Sequence, residues 1–170
     1  MIVAVELYPD KTLEKLIQNM TEQLPVEVLG RKRRLHLTLG KFNQIDEAKA
    51  EEKLTRLVRR HKRIPARFPS VGVVPPGTIC LCPVLNELLY SFHLELHETF
   101  HFAQDDIDQY AFGNWQPHLT LARYSDGEQL LEAFRRILSE FEPLAGEFDR
   151  VALVELEPTW QELCSFKLRP

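Results

Sequence analysis

The tetrapeptide His-Leu-Thr-Leu occurs twice, as His36-Leu37-Thr38-Leu39 and His118-Leu119-Thr120-Leu121, 82 positions apart. Such strict alternation suits a strand with one wet and one dry face, because side chains two apart on a strand share a face. His36 and Thr38 then point one way and Leu35, Leu37 and Leu39 the other. His118 and Thr120 repeat the pattern against Leu119 and Leu121. By the same alternation the next position on each polar row is small, Gly40 or Ala122, which would leave room for a bound group.

The tetrads sit inside a longer repeat. An apolar strand over residues 2–7 leads into a helical stretch over 10–24, striped by Leu13, Leu16, Ile17, Met20 and Leu24. The strand over 35–42, a charged helix over 46–61 and an extended segment over 66–74 complete the first half. The order restarts with a strand over 79–84 and a helix over 85–102, with Leu85, Leu88, Leu89, Phe92, Leu96 and Phe100 on one face. A strand over 118–124, a helix over 127–141 and extended segments over 147–156 and 163–168 follow. Equivalent positions are offset by 77 (Ile2 to Ile79), 82 (His36 to His118) and 80 (Val71 to Val151).

These readings predict a single two-lobed domain over residues 1–170, an approximate repeat of 1–76 and 77–170 joined at the Pro75-Pro76-Gly77 turn. The expected class is α+β: two small, largely antiparallel sheets facing across a cleft, with helices outside. A parallel doubly wound sheet would need unbroken apolar strands, which these are not. With 44% hydrophobic and 27% charged residues, the 170-residue chain can bury a core, which excludes wholesale disorder. A net charge of −4 argues against coating long nucleic acid. No apolar run approaches the ~18 residues of a membrane span. Met1-Ile2-Val3-Ala4-Val5 shows no positive leader, so a cytoplasmic location is expected, as is a monomer. Cys80, Cys82 and Cys164 fit buried thiols in a reducing compartment.

The chemistry lies on the two polar rows. Two imidazoles are what phosphodiester cleavage by acid–base catalysis requires: one takes a proton from the attacking water or hydroxyl, the other gives one to the leaving oxygen. The hydroxyls of Thr38 and Thr120 can donate to non-bridging oxygens as charge builds on phosphorus. This scheme calls for no metal and no cofactor. Duplication alone could keep the leucines, which build the core, but gives no reason to keep His and Thr on the wet side of both strands.

The paired rows resemble the 2H phosphoesterase superfamily, and within it the bacterial 2′-5′ RNA ligase and RNA 2′,3′-cyclic phosphodiesterase group. Pro117-His118-Leu119-Thr120-Leu121-Ala122-Arg123 is similar to that group's second motif, arginine included. The first motif departs from it, with Lys41 where an aromatic residue often stands and Phe42 one place later. The resemblance implies hydrolysis, or reverse ligation, of 2′,3′-cyclic or 2′-5′ phosphodiesters of small nucleotides or RNA ends. It also implies His36 as general acid and His118 as base. A module that binds RNA ends or cyclic nucleotides without turnover is the alternative.

Around the rows, Arg31-Lys32-Arg33-Arg34 could guide an anionic substrate, Arg34 sharing parity with His36. Phe42 and Tyr124 extend the polar parity and could stack on a base. Arg123 falls on the leucine side by simple alternation, so a phosphate role requires a bulge, the strand's end or a long reach; it is carried on the resemblance. The basic cluster Arg56, Arg59, Arg60, Lys62 and Arg63 at a helix end suits the helix dipole. His97-Glu98-Thr99-Phe100-His101 spells the zinc-protease H-E-x-x-H, with His93 one turn earlier. Its third ligand would have to come from Glu128 or Glu132, which sit in no motif. With Leu96 and Phe100 marking the buried stripe, His97 and His101 are expected on a solvated helix edge.

Overall fold

The computed structural model describes residues 2–22, 34–43, 45–101, 103–105, 108–111 and 113–170. Among them nine strands, β1 (Ile2–Pro9), β2 (Leu37–Asn43), β3 (Ile64–Phe68), β4 (Ser70–Val74), β5 (Thr78–Cys82), β6 (Gln104–Asp105), β7 (Leu119–Arg123), β8 (Leu144–Glu155) and β9 (Gln161–Lys167), form one connected sheet. The main order is β3-β8-β1-β2-β7-β5-β4, with β9 on β8 and β6 on β2. Every pairing between these strands is antiparallel. Among the described residues four α-helices, α1 (Lys11–Thr21), α2 (Glu47–Val58), α3 (Glu87–Thr99) and α4 (Gly127–Glu140), complete the α+β fold. Each begins at an Asx cap, Asp10, Asp46, Asn86 or Asp126, whose side chain accepts from an amide of the first turn. Among the described residues no helix is long and apolar enough to cross a membrane.

The leucine faces supply the core. Val3, Val5 and Leu7 of β1 cluster with Leu37, Leu39, Leu119, Leu121, Ile79 and Leu81, and with Leu13, Leu54, Phe92, Leu96 and Ile137 of the four helices. The dry stripes are narrower than the periodicity predicts: Leu16 is exposed, and Leu85 and Leu88 are each 46% exposed at the start of α3.

The expected two facing sheets are instead two wings of one sheet, joined at a single residue pair, Leu37 opposite Leu119. Nor do the wings follow the halves of the sequence. The segment read as one extended stretch over 66–74 breaks into β3, which pairs β8, and β4, which pairs β5. Pro75-Pro76-Gly77, the expected joint, closes the β4–β5 hairpin. There Gly77 accepts from the Tyr124 amide at 2.9 Å. A Cβ on Gly77 would stand 2.1 Å from the Tyr124 carbonyl oxygen. Backbone cannot swing aside as a side-chain tip can, so Gly77→Ala should cost about 1–3 kcal/mol, read as a lowered urea midpoint at unchanged m-value.

Candidate active site

The Leu37–Leu119 pair fixes the geometry of the polar rows. Counting outward in an antiparallel register, His36 stands opposite Thr120 and Thr38 opposite His118, about a rough two-fold axis through the leucine pair. Both leucines are fully buried on the helix side, so all four polar residues share the other face, where each is half-buried. In this register the two polar rows lie on one surface.

Both strands then change parity at the same place. On β1–β2, Val5 pairs Gly40 while Glu6 pairs Thr38, leaving Leu39 as an extra residue. On β5–β7, Ile79 pairs Ala122 while Cys80 pairs Thr120, leaving Leu121 extra. A bulge of one residue inverts every later side chain. Gly40 and Ala122 therefore face the core rather than leaving room beside the histidines; a Cβ on Gly40 would meet Phe42 Cζ at 2.8 Å and His97 Nε2 at 3.3 Å. Phe42, 1% exposed, packs on Phe100 at 5.0 Å between ring centroids, and Tyr124, 6% exposed, lies in the same core. Neither aromatic extends the polar face as alternation predicts. The bulge that Arg123 required is present: its Nε donates to Thr78 Oγ1 at 3.2 Å, on the Thr120 side. Its counterpart 82 positions earlier, Lys41, pairs Ala4 on the histidine face and places Nζ 5.8 Å from the Tyr110 ring centre.

The two imidazoles are held alike. His36 Nδ1 lies 2.7 Å from the Arg34 carbonyl, and His118 Nδ1 lies 2.8 Å from that of Gln116. A carbonyl only accepts, so each ring donates from Nδ1, which leaves Nε2 as the nitrogen for other partners. Their surroundings differ. Glu6 Oε1, in a residue 1% exposed, stands 3.4 Å from His36 Nε2, and Glu6 Oε2 accepts from Tyr8 Oη at 2.7 Å. Burial first, then the Glu6 carboxylate, holds the Tyr8 phenol well above its usual range. Arg150 lies over the Tyr8 ring at 4.3 Å and exposed Arg34 at 6.0 Å. Among the described residues no carboxylate pairs with His118. Arg31, Lys32 and Arg33 lie outside the described residues.

A loop braces the rows. Trp115 Nε1 donates to the Thr38 carbonyl at 3.1 Å and stacks on His93 at 4.0 Å, and His93 Nε2 donates to the Tyr110 carbonyl at 3.0 Å. Tyr110 is buried beside Thr38, Gln109 and Arg123, and burial raises its phenol. A cavity of about 280 Å³ opens next to His118, lined by Val74, Gln109, Tyr110, Asn114 and Gln116. A larger one, about 680 Å³, lies past Tyr8 and Arg34 at the start of α1, where Arg63, Arg150 and Lys167 are matched by Asp10, Glu147 and Asp149.

The H-E-x-x-H residues go elsewhere. His97 is not at a solvated edge: its Nε2 lies 3.3 Å from the Leu39 carbonyl and its ring packs on Phe42 at 5.5 Å and His93 at 4.5 Å. His101 is exposed and donates from Nδ1 to the Glu98 carbonyl at 2.7 Å. Among the described residues no three His, Cys, Asp or Glu side chains converge on one point. In the basic cluster, Arg56 pairs with Glu52, Arg60 with Glu95 at 3.2 Å and Arg63 with Glu147 at 3.4 Å.

Solved structures share this fold. E. coli LigT in complex with NADP+ matches at TM-score 0.64 and 14% identity, covering 99% of this chain and 97% of that one. TT0787 of Thermus thermophilus matches at 0.65 and 20%, covering 99% and 98%. Kluyveromyces marxianus Usb1 matches at 0.51 and 13%, covering 95% and 97%. No curated protein matches the chain. The architecture is thus that of LigT. The sequence profile of the 2′-5′ RNA ligase superfamily matches residues 9–159, and the chain belongs to that superfamily and with it to the 2H phosphoesterases, which makes it an enzyme of phosphoester chemistry.

Burial pulls the His93 imidazole down from 6.5 to about 4, its Nδ1 sealed without a partner. The unfolded chain then binds more protons between those values, so stability is full above pH 6.5 and falls as pH drops towards 4. The loss should reach roughly 3 kcal/mol. Urea denaturation from pH 7 to 4 should show this slope, flattened in His93→Phe.

Proposed function

We propose that this enzyme cleaves 2′,3′-cyclic or 2′-5′ phosphodiesters of nucleotides or RNA ends by paired-histidine acid–base catalysis, without a metal. The observation that carries the reading is the Leu37–Leu119 register, with two imidazoles, each anchored through Nδ1 to a backbone carbonyl, on the same face as two threonine hydroxyls. In hydrolysis, His118 Nε2 takes a proton from water as the water oxygen bonds to phosphorus. The bond from phosphorus to the leaving ribose oxygen breaks, and that oxygen takes the proton of His36 Nε2. The product is a phosphomonoester beside a free hydroxyl, and exchange with solvent resets both rings. Thr38 and Thr120 donate to the non-bridging oxygens, with Arg123 and Lys41 supplying positive charge beside them. Ligation is the reverse path.

Support for a nucleotide substrate comes from two sides. The cavity beside His118 is lined by three amide side chains, Gln109, Asn114 and Gln116, which offer both donors and acceptors to the edge of a base. LigT structures have been obtained with NADP+, ATP and 3′-AMP. Arg34 is kept as a guide for the substrate's charge; Phe42 and Tyr124 are not kept as stacking platforms.

The test is turnover of a 2′,3′-cyclic nucleotide with and without EDTA by the parent, His36→Ala, His118→Ala and His101→Ala. Turnover should survive EDTA, each site variant should lose ~10²–10⁴-fold, and His101→Ala should match the parent. Binding without turnover would support the non-catalytic module, and restoration only by zinc would sink the metal-free scheme.

A further inference from the structure

The two cavities flank the histidines from opposite ends. In the antiparallel Leu37–Leu119 register the strands run in opposite directions, so the residues preceding His36 and those preceding His118 lie at opposite ends of the paired rows. Arg34, whose carbonyl anchors His36, lines the cavity at the start of α1, and Gln116, whose carbonyl anchors His118, lines the other. The linings differ in charge. Among the described residues no Lys, Arg, Asp or Glu lines the cavity beside His118. The larger one, about 680 Å³, is lined by five cations, Lys11, Arg34, Arg63, Arg150 and Lys167, and by four acids. Two of those acids are already engaged. Asp10 Oδ1 accepts from the Thr12 and Leu13 amides and its Oδ2 from the Glu147 amide, while the Glu147 carboxylate pairs with Arg63. That leaves Glu14 and Asp149 to face Lys11, Arg34 and Lys167, which form no ion pair among the described residues. The Tyr8 ring joins this cavity to the site: it lies 6.4 Å from the His36 ring, with the Arg150 and Arg34 guanidinium groups 4.3 and 6.0 Å away. Arg150 Nη1 donates to Glu162 and Ser165, but Nη2 has no partner among the described residues, an unmet donor in the wall.

Resting on the function proposed above, we infer that the cavity at the start of α1 is a second phosphate subsite. It takes the phosphate carried on the 5′-oxygen of the reacting nucleotide, so the preferred substrate is the end of an RNA strand rather than a single nucleotide. Displacement at phosphorus keeps the ribose on the side of the departing oxygen, which the proposed path puts at His36. The next side chain on that side is Tyr8, and beyond it stand the cations that can pair with the 5′ substituent of that ribose. A volume of about 680 Å³ falls within the ~300–1,000 Å³ usual for small-ligand sites, which leaves room for the preceding nucleoside as well. The amides of the first turn of α1 have no part in this, because Asp10 already caps them. A nucleotide with a free 5′-hydroxyl leaves the subsite empty and reacts at the histidines alone.

The test compares kcat/KM at low salt for three substrates: a nucleoside 2′,3′-cyclic phosphate with a free 5′-hydroxyl, the same nucleotide carrying a 5′-phosphate, and a dinucleotide ending in that cyclic phosphate. In the parent the second and third should each exceed the first by about tenfold. The double variant Lys11→Ala/Lys167→Ala should cut that advantage to about twofold. Arg135→Ala, the same kind of charge loss on the exposed side of α4, should keep it. Each advantage is a ratio within one protein, so a smaller folded fraction cannot imitate its loss. Equal values for all three substrates in the parent, or an advantage that the double variant leaves intact, overturns the inference. A gain for the 5′-phosphorylated nucleotide without one for the dinucleotide overturns the strand end as the occupant. If the parent turns over none of the three, the proposed function fails by itself and calorimetry decides the present point. The 5′-phosphorylated nucleotide should then bind the parent about tenfold more tightly than the unphosphorylated one, with the difference lost in the double variant; equal affinities in the parent overturn the subsite.

Discussion

One cross-strand pair, Leu37 against Leu119, holds the two wings of the sheet together and thereby makes the candidate site. Each leucine is fully buried, and burial of such a side chain is worth about 1.5–3 kcal/mol. Because side chains alternate, sinking these two leucines lifts the residues on either side of each to the opposite surface, so packing and chemistry are set by one contact. Slipping the pair by a single residue would bury both histidines and expose both leucines. A site built this way cannot drift without costing the core.

The twin bulges at Leu39 and Leu121 extend the same logic. They send Phe42 and Tyr124 into the core and turn Lys41 and Arg123 onto the face that carries the histidines, Lys41 over the Tyr110 ring and Arg123 against Thr78. The face so made carries a positive rim and a buried acid on one side only. The two rows are alike in backbone and in ring anchoring, and unlike in charge.

Much of this was legible in the chain. The tetrads, their alternation and the repeat of element types predict the antiparallel α+β class and the two polar rows. The four helices start at Asx caps, Asp10, Asp46, Asn86 and Asp126, close to where the periodicity begins. What alternation could not reveal depends on partners. A bulge is defined by the strand opposite, so the faces of Phe42, Tyr124 and Arg123 were misassigned together. Glu6 and Tyr8 interrupt an apolar strand in a way that acquires meaning only when β1 lies beside β2. The repeat also hides an exchange: β4 leaves the first half to join β5, and β8 returns to join β1. His97 packs beside Gly40, where a Cβ would meet the Phe42 ring first and His97 Nε2 at 3.3 Å, a contact that helix periodicity alone does not reveal.

The central claim is that phosphorus sits between the two Nε2 atoms. A crystal structure of the protein with a non-hydrolysable 2′,3′-cyclic nucleotide analogue tests it directly. The account predicts phosphate oxygens within hydrogen-bond distance of His36 Nε2, His118 Nε2 and both threonine hydroxyls. A phosphate lodged instead in the cavity at the start of α1, or against His97 and His101, would contradict it.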